Sequence, residues 1–317
     1  MLSKTTPLLI NSKDILLLSG ERITSGPVLF KALESCDVAF ETWSNIPPTE
    51  RRALLHKAAE NLRSRSEEFS RCMQGEMHAP PEFADFNVKV GIETIEENAA
   101  LVTDASSGSI PVSGAEVCAP VFKEPLGAVL VIAPWNAPII LGLRGIVAPL
   151  AAGNTVLFKG SELSSQTHYL LATVFRDVGF PPGVVDFVLH RPEDAGPIYE
   201  TMITHRAVRK CNFTASSNVG RIIGSKAARA LKPVLLELEG KNFVQVFYDA
   251  DTEKAAEQVF IGPTLNNGQA CMSTELVVTV DAVHDKLVSR IRAHLRELAK
   301  PQSYRPREQW ETWLFDH

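Results

Sequence analysis

The chain has 317 residues, of which 45% are hydrophobic and 22% charged, which is ordinary for a globular protein of about two domains. A net charge of −5 and a sequence pI near 5.9 argue against a general nucleic-acid or anionic-membrane binder. Residues 1–7 hold too short an apolar stretch for a secretory signal. The apolar run Val129–Leu143 contains two prolines and is too short to span a bilayer. We therefore expect a cytoplasmic protein.

Cysteine and histidine spacing argues against a structural metal. The five cysteines are scattered without a C-x-x-C pair, and the eight histidines show no H-E-x-x-H spacing. An odd, dispersed set of cysteines also fits no disulfide framework. We expect no metal site, and we expect Cys36, Cys72, Cys118 and Cys211 to be small core or surface residues.

The elements predicted along the chain change in character at Pro125. Before it, apolar residues at helical spacing predict one amphipathic helix over Pro47–Phe69. After it, short and nearly continuous apolar runs predict parallel strands that are covered on both faces. These strands are Gly127–Ala133, Asn154–Lys159, Val184–Leu189, Val208–Phe213 and Val234–Leu238. Helices are predicted between them at Gln166–Val178, Pro192–Ile203 and Asn218–Leu231. This alternation predicts an α/β fold with a parallel sheet and right-handed crossovers.

A second, shorter α/β stretch follows. It consists of strands at Phe243–Phe247 and Glu275–Val280 and helices at Thr252–Phe260 and Val283–Ala299. The tail 301–317 is polar and shows no period. We therefore expect two domains, over 1–235 and 236–317.

One thiol and one carboxylate suit covalent acyl chemistry. Cys271 ends a Gly-Gln-Ala-Cys stretch, and a helix start predicted beside it would lower the thiol pKa and supply backbone N–H groups. Glu237 ends an apolar strand, where it could activate water. An isolated cysteine is more often a buried structural residue, and a carboxylate at a strand end is more often merely solvated. The two motifs together favour the catalytic interpretation.

Two further segments follow predicted strands. Asn136 lies in Pro134-Trp135-Asn136, where its side-chain amide can donate to an oxyanion, although an Asn in a turn is the simpler interpretation. Residues 213–221 form a strand-to-helix turn whose free N–H groups suit a phosphate. This turn is not a G-x-G-x-x-G fingerprint, so the ordinary Rossmann motif is absent.

Together these motifs resemble the aldehyde dehydrogenase superfamily. The segments are Pro134-Trp135-Asn136, Glu237 within E-L-E-G-K-N, and the G-Q-A-C that ends at Cys271. The resemblance extends from about residue 47 to residue 298 and is strongest over 125–279. Residues 133–144, 159–162 and 271–275 are most similar to salicylaldehyde and vanillin dehydrogenase-like members. The α/β fold implied is an N-terminal arm with a parallel Rossmann-type, dinucleotide-binding cofactor domain over 1–235. An incomplete, partial α/β catalytic domain with a divergent tail would follow over 236–317.

The resemblance implies an activity and a role for each residue. Cys271 would be the nucleophile, Glu237 the general base for thioester hydrolysis, and Asn136 together with the Cys271 backbone N–H the oxyanion hole. The reaction implied is the NAD⁺-dependent oxidation of an aldehyde, of aromatic type, to the carboxylic acid through a thiohemiacetal and a thioester.

The resemblance also implies a set of cofactor-binding residues. Lys159 and Glu162 would hold the adenosine ribose hydroxyls, and the carboxylate of Glu162 would repel a 2′-phosphate, which favours NAD over NADP. The full set is Ile132, Pro134, Trp135, Lys159, Glu162, Ala215, Ser216, Ser217, Asn218, Val219, Gly220 and Leu238.

Three positions depart from the family pattern. Gly160 replaces Pro in K-P-S-E, which we expect to be mild. Ala215 replaces Gly in F-T-G-S, where Gly permits the closest backbone approach. Glu239 replaces Gly beside the base and puts activity in question. Arg144 is a weaker substrate candidate: on one helix it would lie about 80° from Asn136 and meet a phenolic oxygen, but a structural salt bridge explains it equally well.

Only residues 272–317 follow Cys271, and they contain no E-x-F-G-P motif. The resemblance therefore implies a C-terminally truncated chain without the usual dimerisation strand, although homo-oligomers remain open. Two alternatives follow: a catalytically weak or inactive homologue that retains dinucleotide binding, or the product of a mis-predicted or frameshifted gene. The irregular tail after Ala299 favours these alternatives, whereas the intact Asn136, Glu237 and Cys271 favour the enzyme.

Overall fold

The structure, a computed structural model, describes residues 6–16, 27–110 and 117–298. These residues form two compact units. The first takes the described parts of 1–78 and 85–238, and the second takes 79–84 and the described part of 239–317. The tail 301–317 and Ala299, the last residue of the final predicted helix, lie outside the described residues.

The first unit contains a mixed sheet in the order β2-β1-β5-β4-β3-β6-β7. The strands are β1 (Leu8–Ile10), β2 (Lys13–Ile15), β3 (Ala128–Ile132), β4 (Thr155–Lys159), β5 (Val185–Val188), β6 (Val208–Thr214) and β7 (Val234–Glu237). Strands β3 to β7 pair in parallel, which confirms the predicted parallel α/β fold. The hairpin β1–β2, which was not predicted, adds to β5 in the antiparallel direction.

Helices of this unit pack around the sheet. They are α1 (Pro27–Trp43), α2 (Pro48–Ser64), α3 (Ser66–Met77), α4 (Pro81–Ala105, whose first turn is grouped with the second unit), α5 (Pro138–Ala151), α6 (Ser165–Asp177), α7 (Ala195–Thr204) and α8 (Ser217–Arg229). The prediction of one helix over Pro47–Phe69 is wrong, because the chain breaks between α2 and α3 at Arg65. The Arg65 guanidinium bonds to Thr173 Oγ1 at 3.0 Å and to Glu68 at 2.7 Å, which holds the break against α6.

Burial distinguishes the centre of this sheet from its β7 edge. Every residue of β5 is buried, and so are the first four residues of β3 and of β4. Strand β7 is different: Leu235 is 57% exposed and Leu236 37%. The expectation of strands covered on both faces is therefore right at the centre and wrong for β7, where no further strand pairs within the described residues.

The second unit is a small α/β layer. Strands β8 (Asn242–Val246) and β9 (Thr274–Thr279) pair in parallel, and α9 (Thr252–Thr264) and α10 (Asp281–Leu298) pack on one face. The small core is formed by Val246, Ala256, Val283 and Leu287. On the opposite face Phe243 is 57% exposed and Leu276 53%.

Across the described ranges, no helix combines the length and the apolar character that crossing a membrane requires.

Candidate functional site

The register of the first sheet gathers four strand ends at its carboxyl edge. Ile132, the last residue of β3, pairs with Lys159 on one side and with Phe213 on the other. Thr214 pairs in turn with Glu237 at the end of β7. The segments after β3, β4 and β6 therefore leave the sheet beside one another and beside Glu237.

Strand order marks this edge as a ligand-binding crevice. The chain runs outward from β3 through β4 to β5 on one side, then returns to β6 and β7 on the other side. Open α/β sheets bind ligands outside the carboxyl ends of the strands at such a reversal. The reversal lies between β3 and β6, and the segments Ala133–Ala137 and Ala215–Ser216 border it.

The segment after β4 carries Lys159 and Glu162. Burial lowers the pKa of Lys159, and the nearby Glu162 carboxylate acts in the opposite direction. Ser161 caps the 3-10 turn that follows, accepting the Leu163 N–H at 3.2 Å. Lys159 is thus a half-buried cation beside an exposed carboxylate, a pair suited to two neighbouring hydroxyl groups.

The turn after β6 opens α8. The Ser216 side chain accepts the Val219 N–H at 3.5 Å, and the Ala215 N–H donates to the Glu237 carbonyl at 3.2 Å. A Cβ on Gly220 would lie 2.5 Å from a methyl group of Leu238, so a larger residue here would require the Leu238 side chain to shift. The helix N-terminus lies at the crevice, where its N–H groups favour an anion.

The remaining residues predicted at this turn differ in exposure. Ser217 is partly buried, whereas Asn218 and Val219 are exposed. Within the first turn of α8, Asn218 Oδ1 accepts from Arg221 Nη1 at 2.9 Å. Asn218 therefore already has a partner on its own helix.

Asn136 lies in the segment between β3 and α5. Pro134, Trp135 and Asn136 are all partly buried, and the helix begins only at Pro138. The helical angle expected between Asn136 and Arg144 therefore does not apply, because Asn136 lies outside the helix. Arg144 is exposed on α5 and forms no ion pair within residues 6–16, 27–110 and 117–298. The salt-bridge interpretation of Arg144 therefore finds no support among these residues.

Glu237 closes β7 with its side chain exposed. Its backbone remains in the sheet through the hydrogen bond from Ala215, and the next residue, Leu238, packs on the core cluster of the first unit. The backbone at Glu237 is therefore fixed by its neighbours while the carboxylate meets solvent.

Cys271 lies in the second unit, in an exposed turn that leads into β9. The expectation of a helix start beside it is wrong: α9 ends before it, and a strand follows. Asn266 and Asn267 adopt left-handed conformations with φ of 49° and 57°, which end the helical path. A helix dipole at this point therefore does not act on the thiol.

Asn242, which was not among the predicted site residues, fixes this turn. Asn242 Nδ2 donates to the Cys271 carbonyl at 2.8 Å and to the Ser273 carbonyl at 3.4 Å, and the Ser273 N–H donates to Ala270 at 3.1 Å. The neighbouring Lys241 pairs with Glu275 of β9. The E-L-E-G-K-N segment that begins at Glu237 thus ends by holding the cysteine turn.

The signals for the missed residues differ. Asn242 is the last residue of the E-L-E-G-K-N motif, so the sequence contained a signal for it. His168, which accepts the Ser161 N–H at 2.9 Å, is an ordinary histidine in a helical pattern and gives no signal. Within the described residues, no group of three or more His, Cys, Asp or Glu side chains is placed to hold a metal ion.

Comparison with known proteins identifies the family. The profile of the "Aldehyde dehydrogenase family" matches residues 28–309. The chain belongs to the aldehyde dehydrogenase family. The predicted resemblance to this family is therefore confirmed, and with it the aldehyde dehydrogenase-like α/β fold.

Two of the similar proteins are named for aromatic aldehydes. A vanillin dehydrogenase from Pseudomonas fluorescens is 43% identical over 267 residues, covering 84% of this chain and 55% of that protein. The crystal structure of a salicylaldehyde dehydrogenase from Pseudomonas putida G7, complexed with salicylaldehyde, superposes with a TM-score of 0.86 at 35% identity. That match covers 91% of this chain and 63% of the other.

A third protein carries a cofactor. A 1-pyrroline-5-carboxylate dehydrogenase from Thermus with bound NAD matches with a TM-score of 0.84 at 28% identity, covering 92% of this chain and 60% of that one. The aldehyde dehydrogenase homologue described here thus spans little more than half the length of the proteins that it matches.

Proposed function

We propose that this aldehyde dehydrogenase homologue oxidises an aromatic aldehyde to the carboxylic acid with NAD⁺, using Cys271 as nucleophile. The observation that carries the proposal is the register of the first sheet. It sets the Asn136 segment, Lys159, the start of α8 and Glu237 along one carboxyl edge, with the strand-order reversal among them.

The residues at this edge fit a dinucleotide. Lys159 and Glu162 would take the adenosine ribose hydroxyls, and the N-terminus of α8, opened by Ser216, would face the pyrophosphate. Gly220 lets that helix approach Leu238, so the crevice wall is formed without an intervening side chain. Bound NAD⁺ supplies a hydride acceptor.

NAD rather than NADP is supported by charge. The exposed carboxylate of Glu162 would repel a 2′-phosphate. The Thermus relative has NAD bound, which agrees with this choice.

The chemistry of the chain's own residues begins at sulfur. The Cys271 thiolate adds to the aldehyde carbon, and the new oxyanion is stabilised by the Asn136 side-chain amide and the Cys271 backbone N–H. Asn242, by holding the Cys271 carbonyl, fixes the orientation of the peptide groups in the cysteine turn. A fixed donor loses no free energy to reorganisation when charge develops.

Release of the acid needs water and a base. After hydride loss the carbonyl carbon is a thioester on Cys271. Glu237 would take a proton from water, the hydroxide would add to the thioester carbon, and the Cys271 thiolate would leave.

The substrate class rests on two observations. The relatives named for vanillin and salicylaldehyde are among the most similar proteins. Arg144, exposed on the helix that follows Asn136, provides a cation able to meet a phenolic oxygen. We therefore assign hydroxylated aromatic aldehydes as the preferred substrates.

A second candidate is a dinucleotide-binding protein without turnover. This candidate is favoured by apolar side chains that are exposed to solvent. They are Leu235 on β7, and Phe243 and Leu276 on the open face of the β8–β9 sheet. Catalytic groups held on such surfaces lack the packing that keeps active-site geometry tight.

The test is NADH formation by the purified chain with vanillin, salicylaldehyde, benzaldehyde and an aliphatic aldehyde. Cys271→Ala is compared with Cys118→Ala, since both cysteines are exposed. We expect turnover with the aromatic aldehydes that only the Cys271 variant loses. No NADH from folded protein contradicts the enzymatic proposal, and retained NAD binding then supports the second candidate. Ester hydrolysis without cofactor reports separately on whether the thiol is reactive.

A further inference from the structure

Gly160, between Lys159 and Ser161, lies against two buried rings. A Cβ on Gly160 would lie 2.6 Å from Phe187 and 3.0 Å from the Cβ of His168. Its N–H donates to the Val188 carbonyl at 3.1 Å, a bond that proline cannot make. The glycine found where the family pattern has proline is therefore required by close packing and by a backbone hydrogen bond.

Glycine leaves this segment with more backbone freedom than proline would. The freedom matters because Lys159 and Glu162 lie on either side of Gly160 and Ser161. A dinucleotide that contacts both side chains needs their backbones at a fixed separation. Another restraint must therefore replace the one that proline would provide.

His168 of α6 supplies a restraint at the next residue. Its Nδ1 accepts the Ser161 backbone N–H at 2.9 Å and faces Ser164 Oγ at 3.3 Å. The ring is fully buried and meets Phe158 edge-on with ring centroids 5.0 Å apart. Phe158 in turn packs against Phe187, so the restraint and the glycine share one aromatic cluster.

The Nδ1 atom of His168 can accept a hydrogen bond throughout the physiological pH range. Burial, and then the charge of Lys159, lower the pKa of His168 to about 3, so the ring is neutral at physiological pH. Because Nδ1 accepts, the ring proton lies on Nε2. The Pro138 backbone acts on the His168 pKa in the opposite direction to burial.

The start of α6 is fixed as well. The Glu76 carboxylate of α3 accepts the N–H groups of Gln166 at 2.7 Å and Thr167 at 2.8 Å. This cap satisfies the helix N-terminus from within the protein. His168 therefore projects from a helix whose first turn is held in place.

We propose that His168 is a positioning residue for the cofactor: its acceptor nitrogen fixes the Ser161 backbone and so sets Lys159 and Glu162 for the adenosine ribose in place of the missing proline. This inference rests on the proposed function, because it assumes a dinucleotide at the carboxyl edge. His168 acts only through the segment and touches no reacting atom.

Two substitutions separate hydrogen bonding from packing. His168→Phe keeps a ring of similar size and removes the acceptor. His168→Asn is smaller but places its amide oxygen near the position of Nδ1. We expect the dissociation constant for ADP-ribose, measured by calorimetry on the full chain, to rise about tenfold in the Phe variant and less than about threefold in the Asn variant. His56→Phe on the exposed face of α2 is the control and should bind as wild type does.

The outcomes are distinct. If wild-type protein binds neither NAD nor ADP-ribose, the proposed function fails. If wild type binds and the Phe variant binds equally well, or the Asn variant loses more than the Phe variant, the ring acts by packing and the inference is overturned. Should a variant not fold, hydrogen exchange in wild type decides: slow exchange of the Ser161 N–H supports the inference and fast exchange overturns it.

Discussion

The cofactor side and the chemical side of the proposed site are built differently. Lys159 ends a strand that is buried almost throughout, and the segment after it is fixed by bonds to Val188 and His168 and by packing against Phe187. Glu237 and Cys271 are exposed, one at the edge of a sheet and the other in a turn.

This difference shows which part of the function the chain specifies by itself. Around Lys159 the restraints all come from within the first unit. At Glu237 and Cys271 only the backbones are fixed, through Ala215 and Asn242, and the side chains lack packed surroundings. The described residues are therefore better prepared to bind a dinucleotide than to hold an aldehyde.

The first prediction removes the base. Glu237→Gln cannot take a proton from water, so turnover should fall by about 10² to 10⁴-fold, the usual contribution of a positioned general base. The oxidation before hydrolysis should survive and appear as a single burst of NADH. Rapid-mixing absorbance measures both phases.

Glu239→Gln provides the matched control, because this neighbouring carboxylate is also exposed. It should retain turnover. Equal loss in both variants, or loss of the burst with Glu237→Gln, would contradict the assignment of the base.

The second prediction sharpens the contrast in packing. Phe187 is fully buried on β5, and its replacement by Ala should lower the free energy of unfolding by about 3–5 kcal/mol. Leu235→Ala on the exposed strand β7 should cost less than about 1 kcal/mol, because little buried surface is lost. Urea unfolding measures both values, and similar costs would show that β7 is covered in solution.

The third prediction concerns the oxyanion. Asn136→Ala removes one proposed side-chain donor, so kcat should fall by about 10² to 10³-fold. The KM for aldehyde should change much less. Asn98→Ala, which removes an amide that donates to the Thr94 carbonyl of the same helix α4, is the control. Unchanged kcat in the Asn136 variant would exclude this residue from the oxyanion hole.

The smallest expected effect concerns Asp186 beneath the β1–β2 hairpin. Burial raises the pKa of Asp186 to about 7, and the hydrogen bond from the Asn11 N–H at 2.8 Å opposes this. The folded state therefore binds this proton more tightly than the unfolded state does. The stability that this proton contributes is fully present below the unfolded-state pKa of about 3.9, and it is lost as the pH rises through the folded-state pKa of about 7.

Asp186→Asn keeps an acceptor for Asn11 and removes the titration. Relative to wild type, the variant should gain roughly 2 kcal/mol of unfolding free energy between about pH 5 and about pH 8. Denaturant unfolding at the two pH values tests this. If the free energy of unfolding of wild type falls no more than that of the variant between these pH values, Asp186 does not keep a proton in the folded state.

Much of the sheet could be predicted because β3, β4 and β5 are short, mostly apolar runs bounded by Gly, Pro or Asn. The hairpin β1–β2 could not, since its three-residue strands depend on pairing with β5. The break at Arg65 also lacked a signal, because no Gly or Pro stands there and its guanidinium bonds to side chains distant in sequence or on the next helix.

The site shows the same limit. Motifs identified Cys271, Glu237 and Lys159 separately, whereas strand register alone explains why Glu237 and Lys159 share one edge. The helix start expected beside Cys271 was wrong because Asn266 and Asn267 take left-handed conformations that no periodicity reveals. His168 was invisible in the sequence, since its role depends on a backbone N–H that it meets only after folding.

The most direct test of the proposed chemistry is to trap the acyl group. Glu237→Gln protein is mixed with NAD⁺ and vanillin, quenched in acid, and its intact mass and peptides are measured. We predict an aroyl thioester on Cys271 that requires both reagents and is absent from Cys118. Folded protein that binds NAD but carries no adduct, or carries it on another residue, would contradict Cys271 as the nucleophile.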